Sequence, residues 1–411
     1  MATAQVRYRY RLRIGPKEAA ALGAVYDACR TAWNRALGDW GDRWKTEHHT
    51  VSYQEASKAL TARRKDFDWL RAQPQNPQEQ VLRDLYCSIR AFLDKTNPAG
   101  RPQFKSAKRG YATARWTKNG FSVSGTGRGH RGERLEVAVA GGRIGLRVVW
   151  SRPLPSPPTS VTVYRDPAGR WWASFVVQAG VVEGPLHPDG PATGLDMGLA
   201  RFATTEDPGT DVENPRYARR AARALARSQR NMARKHRGSN NRARAKVRVA
   251  RVNATVAGQR RDFHHKAARE LVAVYDRIGV EDLQIKNMSA RGSGRQKSGL
   301  NRSIADAGWG QFLATLSWQA KKAGKEVVVL PAWDTTQTCS SCGTKAKPRI
   351  ELSDRVFSCR VCGLVLDRDR NAARNLHPVR LGPDGGAEPS GGVPAGSDGS
   401  EPRVPAGALA A

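Results

Sequence analysis

Two Cys-x-x-Cys pairs stand near the C-terminus: Cys339-Ser-Ser-Cys342 and, sixteen residues later, Cys359-Arg-Val-Cys362. Four thiolates at this separation can take the corners of a tetrahedron, the geometry zinc prefers. All four ligands come from the chain and leave no position for water, so the predicted site is structural. Gly343 and Gly363 each follow a pair directly, where a tight turn favours glycine. Just beyond lies an acidic helix start, Asp367-Arg-Asp369-Arg-Asn-Ala-Ala-Arg-Asn. A metal-stapled hairpin at that point would hold a carboxylate rigidly.

Metal-dependent phosphodiester cleavage needs a few carboxylates converging on one point, where two Mg²⁺ ions about 4 Å apart activate water and stabilise the leaving oxygen. Mg²⁺ takes hard oxygen ligands and keeps several waters. Three positions fit this need: Asp196 on an otherwise apolar strand between Gly194 and Gly198, Glu281 ending another strand, and Asp369 at the final helix start. The glycines would let a phosphate backbone come close. Plainer roles exist: Asp367 or Asp369 could cap the helix, and Glu281 could pair with a surface arginine. Asp196 is hardest to explain away, because an unpaired buried carboxylate is costly.

Sixty-nine Lys and Arg against thirty-seven Asp and Glu leave a net charge of +32, which points to phosphate polymers as partners. Fourteen of the cations fall between Arg216 and Arg251, where no Asp or Glu occurs; such a run repels itself unless an anion lies alongside. Arg223, Arg227, Arg230 and Arg234 are its candidate contacts. No apolar run reaches membrane-spanning length and the N-terminus lacks a signal-peptide core, so no membrane partner and a reducing, intracellular location are expected. Cys29 and Cys87, outside the paired motifs, read as reduced packing residues.

These groups need positioning elements. Val6, Tyr8, Tyr10, Leu12 and Ile14 alternate with Arg7, Arg9, Arg11 and Arg13, a strand with one cationic face. The arginines either face phosphate or protect an edge strand from aggregation. Helical spacing follows from Pro16 to Leu37 and again over about 78–95, a helical lobe over 16–96. Short strands over 97–185, joined by residues 1–15, predict a small barrel or sandwich. A Pro/Gly linker leads to a second α/β region over 190–335 and 364–378, interrupted by the ribbon at 336–363. Gly238-Ser-Asn-Asn is expected to break the basic run into two helices, with another helix following through His264. Residues 379–411 are Gly-, Pro-, Ala- and Ser-rich and are predicted to be disordered.

Five segments, in order, resemble the TnpB proteins, transposon-encoded relatives of the type V CRISPR effector nucleases. They are Gly194-Leu-Asp-Met-Gly-Leu, Val280-Glu-Asp-Leu-Gln-Ile-Lys-Asn-Met, Ser303-Ile-Ala-Asp-Ala-Gly-Trp, Thr336-Gln-Thr-Cys-Ser-Ser-Cys-Gly and the Asp367 run. Gly100-Arg-Pro-Gln-Phe-Lys is similar to a further segment common there. The resemblance implies a multidomain α/β protein: an RNase H-like (RuvC) nuclease domain with an inserted zinc ribbon, plus an N-terminal wedge-like β-barrel with an inserted helical recognition lobe. It implies an RNA-guided DNA endonuclease with structural Zn²⁺ on Cys339, Cys342, Cys359 and Cys362. The family's catalytic Mg²⁺ ligands fall on Asp196, Glu281 and Asp369. Arg368 and Arg370 would sit near the scissile strand. The implied partners are a guide RNA from the transposon end and target DNA beside a short flanking motif, with one protein per RNA and a bacterial cytoplasmic, nucleoid-associated setting. Two other readings stay open: a non-cleaving RNA-guided regulator, and a strand-transfer transposase, which the carboxylates alone cannot separate from a hydrolase.

Overall fold

The computed structural model describes residues 2–378 except 48–49, 108–111, 126, 183–186, 188, 290–294, 332–333 and 352. The tail expected to be disordered lies outside the described residues. The chain divides into two compact units, residues 4–179 and residues from 180 onward. Among the described residues no helix is long and apolar enough to cross a membrane.

In the first unit β1 (Ala2–Arg13) leads into α1 (Pro16–Glu47), α2 (Tyr53–Asp66), α3 (Asp68–Ala72) and α4 (Gln75–Leu93). Strands β2 (Thr113–Thr117), β3 (Phe121–Val123), β4 (Leu135–Val139), β5 (Gly142–Val149), β6 (Ser160–Arg165) and β7 (Trp171–Val181) follow. The seven strands run in the order β2-β6-β7-β1-β5-β4-β3. Its end strands, β2 and β3, are consecutive in the chain and joined by a tight turn in which Gly120 N donates to Thr117 O (2.7 Å). The sheet therefore curls until its two edges meet. Period-two alternation buries Tyr10 and Leu12 and turns Arg7 and Arg13 outward. Helices and sheet share one hydrophobic core, in which Leu22, Val25, Leu82 and Leu85 pack with Trp116, Val161 and Phe175.

Sequence reading overlooked α2, although Ser52 and Glu55 form a capping box, each side chain bonding the other's backbone N–H. Cys29 is buried among α1 neighbours, and burial pushes its thiol up to about 12. Cys87, expected to be a packing residue, is exposed instead, because it falls off the Val81–Leu85–Ile89 face of α4.

The second unit contains β8 (Ala192–Met197), β9 (Arg201–Thr204), β10 (Val212–Glu213), α5 (Tyr217–Ala233), α6 (Asn240–Val274) and β11 (Arg277–Glu281). Then come α7 (Ile285–Met288), α8 (Arg295–Ala307), α9 (Trp309–Lys322), β12 (Glu326–Leu330), β13 (Val356–Ser358), β14 (Val365–Asp367) and α10 (Arg368–Asn375). Five strands form a mixed sheet, β10-β9-β8-β11-β12; β9 is antiparallel to β8, while β11 runs parallel to both β8 and β12. The core lies against α6 and α9, where Phe202, Phe312, Leu271 and Leu316 meet.

The helix expected to start anew before His264 does not. After the break at Gly238, one helix of 35 residues runs from Asn240 to Val274. Ala245 and Val256 keep an apolar stripe against its neighbours through the arginine-rich stretch. By contrast α5 buries no residue. Its first turn is held from outside: the Asp306 carboxylate accepts from Ala218 N (2.8 Å) and Arg219 N (3.3 Å).

Candidate active site and metal centre

The four cysteine Sγ atoms lie within 4.8 Å of one another. Cys339–Cys362 and Cys342–Cys359 are both 3.6 Å apart. Bonds of about 2.3 Å to one tetrahedral ion would put the sulfurs about 3.8 Å apart, so the donor set fits zinc. The two knuckles repeat the same turn. Gly343 N donates to Cys339 O and Gly363 N to Cys359 O, both at 3.0 Å. Gly343 (φ 72°) and Gly363 (φ 76°) occupy the left-handed region that favours glycine. Hydrogen bonds from the side chain and backbone of Thr344 hold the Cys342 thiol down to about 6, toward the thiolate a metal needs.

The carboxylates come together by strand register. Val280 pairs with Leu195, so the next residues, Glu281 and Asp196, end adjacent parallel strands side by side. The third comes from α10, which lies on β8. Gly194 and Gly279 are register partners, and a Cβ on either would overlap a backbone carbonyl at the C-terminal end of α10: Ala373 O over Gly194, and over Gly279 the O of Leu376, the residue that caps the helix. This glycine pair is the seat of the helix, a tighter reason for Gly194 than the expected approach of a phosphate backbone. A Cβ at Gly198 would likewise crowd the Arg201 carbonyl within the β8–β9 turn. Substituting Gly194 by Val should cost about 2–3 kcal/mol through overpacking. Faster amide hydrogen exchange in α10 would report it; unchanged exchange would show that the helix is seated elsewhere.

Asp367 proves to be the helix cap, accepting from Asp369 N (3.0 Å) and Arg370 N (3.1 Å), which leaves Asp369 in the first turn of α10. Burial first, then the charges of Glu281 and Asp369, push the Asp196 carboxyl well above the usual carboxylate range. Among the described residues Asp196 has no hydrogen-bond or ion-pair partner. Glu281 accepts a hydrogen bond from Thr335 Oγ1. Asp369 lies 3.3 Å from Arg368 and 3.7 Å from Arg355. Glu281 and Asp369 are thus near enough for their charges to act on Asp196.

Two expected nucleic-acid contacts are placed otherwise. Arg370 is buried, forked onto Asp211 by two 2.9 Å bonds and donating to Thr205 O (2.7 Å). Arg368 is also buried, donating to Glu351 O (3.1 Å) and turned toward Asp369. Both tie α10 to its surroundings, through bonds to carboxylates and carbonyls inside the fold rather than to a strand outside. By contrast, Arg223, Arg227, Arg230 and Arg234 are exposed along one side of α5.

Several residues at the site went unnoticed in the sequence. Asn371 is fully buried; it donates to Thr338 O (2.7 Å) and accepts from Ser340 N (2.9 Å), pinning the first knuckle to α10. Asn375, one turn on, donates to Thr335 O (2.7 Å). Arg201 reaches toward both Asp211 (3.7 Å) and Asp367 (3.8 Å). The i, i+4 spacing of the asparagines was the available signal. Asn371→Ala would strand two backbone groups and should cost about 1–3 kcal/mol. It should also release zinc faster to a colorimetric chelator; wild-type release would show that the ribbon stands without this pin.

A mixed five-stranded sheet carries a helix seated over two glycines, and a four-cysteine cluster is pinned to that helix. Three family models match the chain: "Probable transposase" over residues 174–291, "Cas12f1-like, TNB domain" over 309–376 and "Helix-turn-helix domain" over 1–49. A protein of Streptomyces pristinaespiralis named "Putative RNA-guided DNA endonuclease" is 34% identical, over 90% of this chain and 88% of its own length. The Escherichia coli K12 protein "Putative RNA-guided DNA endonuclease InsQ" is 31% identical, over 90% of each chain. The chain belongs to the TnpB family. A solved Cas12f1-sgRNA-target DNA complex shares the fold, with TM-score 0.59 at 11% identity over 88% of this chain and 83% of that one. So does the mini-RNA-guided endonuclease CRISPR-Cas phi3, with TM-score 0.52 at 9% identity over 91% and 92%.

Proposed function

We propose that this chain is an RNA-guided DNA endonuclease of an insertion-sequence-type transposon, cutting DNA complementary to its guide beside a short flanking motif. Convergence of Glu281 and Asp369 on the partnerless Asp196 carries the reading. The strand order, with the second strand reversed and the fourth parallel to the first, supports an RNase H-like (RuvC) nuclease domain. Asp196, Glu281 and Asp369 would hold Mg²⁺. Divalent cations in such a site supply Lewis acidity and neutralise charge at phosphorus.

The chain's own contributions follow from its contacts. Thr335 orients Glu281, and the Asp367 cap fixes the turn that presents Asp369. Arg355, on the ribbon and largely exposed, stands where its guanidinium can exchange Asp369 for a strand phosphate. The exposed arginines of α5 would grip nucleic-acid backbone, and base pairing would supply sequence choice.

RNA copurifying with the protein tests this reading. One discrete species ending in a variable segment supports it, and a salt-removable smear of cellular RNA contradicts it. The strand-transfer reading keeps some support from the matched "Probable transposase" description. Joined rather than merely cut products, with this protein as the only enzyme, would favour it.

A further inference from the structure

We propose that Asp211 is a positioning residue of the nuclease site: it sets Asp369 against Asp196, and so governs how tightly the carboxylates take a divalent cation. This rests on the carboxylate reading above. Asp211 closes the loop between β9 and β10. Its Oδ1 accepts from Thr205 N (3.0 Å) and Arg370 Nη1 (2.9 Å), and its Oδ2 accepts from Arg370 Nη2 (2.9 Å). Thr205 directly follows Thr204, the register partner of Asp196. Arg370 directly follows Asp369 on α10. One carboxylate therefore links the strand beside Asp196 to the helical turn that carries Asp369.

The form of the link suits placement. Two parallel N–H···O bonds fix rotation as well as separation, and Arg370 Nη1 adds a third bond to Thr205 O (2.7 Å). Stability alone does not call for such a pair. Both side chains are nearly buried, at 9% and 11% exposure. Stripping water from two charges offsets most of their attraction, so apolar residues of similar volume would hold α10 about as well. The loop that presents Asp211 is braced in turn. Thr205 Oγ1 lies 2.6 Å from Thr210 Oγ1, which lies 2.8 Å from the Tyr275 hydroxyl. Tyr275 ends α6 just before β11, the strand that finishes at Glu281. Arg201 stands between Asp211 and Asp367, the cap of α10. Asp211 is thus tied to the elements that carry all three carboxylates, although it is none of the three.

The test compares the full-length, zinc-loaded chain with an Asp211→Leu/Arg370→Met double variant and with Arg370→Lys, which keeps the charge and loses the fork. Thermal unfolding in EDTA reads stability. Electron paramagnetic resonance of free Mn²⁺ reads cation affinity. Single-turnover cleavage by the RNA complex across DNA concentrations separates rate from binding. A folded double variant should bind Mn²⁺ about 10- to 100-fold more weakly than wild type, and Arg370→Lys should also lose affinity. The maximal cleavage rate should fall in step, while the DNA concentration for half-maximal rate stays unchanged. If the double variant does not fold, Arg370→Lys is read alone. Wild-type Mn²⁺ affinity and cleavage rate in the folded variants would overturn the proposal and leave the fork a structural tie. Asp196→Asn in the same series separates two failures. Wild-type Mn²⁺ affinity there would refute the carboxylate reading together with this proposal. Lost affinity there, with wild-type affinity in the fork variants, would refute the positioning role alone.

Discussion

Asp196→Asn should lower cleavage by about 10³-fold or more and, in EDTA, make the protein more stable than wild type. The first effect is what removing a central group from a concerted site does. The second follows from linkage. Asp196 titrates near its ordinary 3.8 in the unfolded chain and well above that in the folded one. The folded state therefore holds a proton that the unfolded state has already lost. Metal-free stability should fall as pH rises from about 3.8 through the raised folded value, because the wild-type chain must then ionise a third carboxyl beside Glu281 and Asp369. Asparagine cannot ionise, so the variant should lose that slope. It should also lose most of the rise in thermal midpoint that Mg²⁺ gives wild type. Thermal unfolding with EDTA and with Mg²⁺ between pH 5 and 8 checks both. An Asp196→Asn variant less stable than wild type in EDTA would mean that the carboxylates do not repel one another.

Cys359→Ser should cost the ribbon its metal and, through it, most of the nuclease activity. The ribbon's core is small: Cys339, Phe357 and Cys359, with Ala346, Ile350 and Leu364 packed on them. So few apolar residues cannot order some thirty residues alone, and a metal held by the four cysteines would supply folding free energy. The damage should spread, because Asn371 bonds the knuckle at Thr338 and Ser340, and Thr335 joins Asn375 to Glu281. Losing the ribbon loosens the seats of both Asp369 and Glu281. Zinc content by mass spectrometry should fall toward zero, and cleavage by about 10²-fold or more if carboxylate placement slips by an ångström. Full cleavage without zinc would show that the ribbon is not what positions the carboxylates.

Much of the site could be read from residues that repeat or break a pattern. The cysteine spacing announced a tetrad, and alternation in residues 6–14 announced a cationic strand face. Asp196 stood out because a carboxylate interrupts an apolar strand. What stayed hidden was set by tertiary contacts. Nothing in the sequence tells that Gly194 and Gly279 face each other under α10, or that Asp306 caps a helix starting 89 residues earlier, at Tyr217. Arg368 and Arg370 were expected near the scissile strand only from the family resemblance, and their burial depends on partners distant in the chain. Burial of Arg370 is made affordable by Asp211, a partner 159 residues away. Helix α2 was missed for a local reason: its few buried residues, Ala56 and Leu60, give only a thin apolar stripe.

The three carboxylates are proposed to cut DNA chosen by a bound RNA. The most direct test takes wild-type protein with its copurified RNA and a DNA duplex matching the variable RNA segment, placed in a library of flanking sequences. Mg²⁺-dependent cuts should be confined to matched duplexes carrying one short flanking motif, with none in EDTA or with an unmatched RNA. Matched DNA bound tightly in Mg²⁺ yet left intact would contradict the proposal, as would cuts that ignore the RNA sequence.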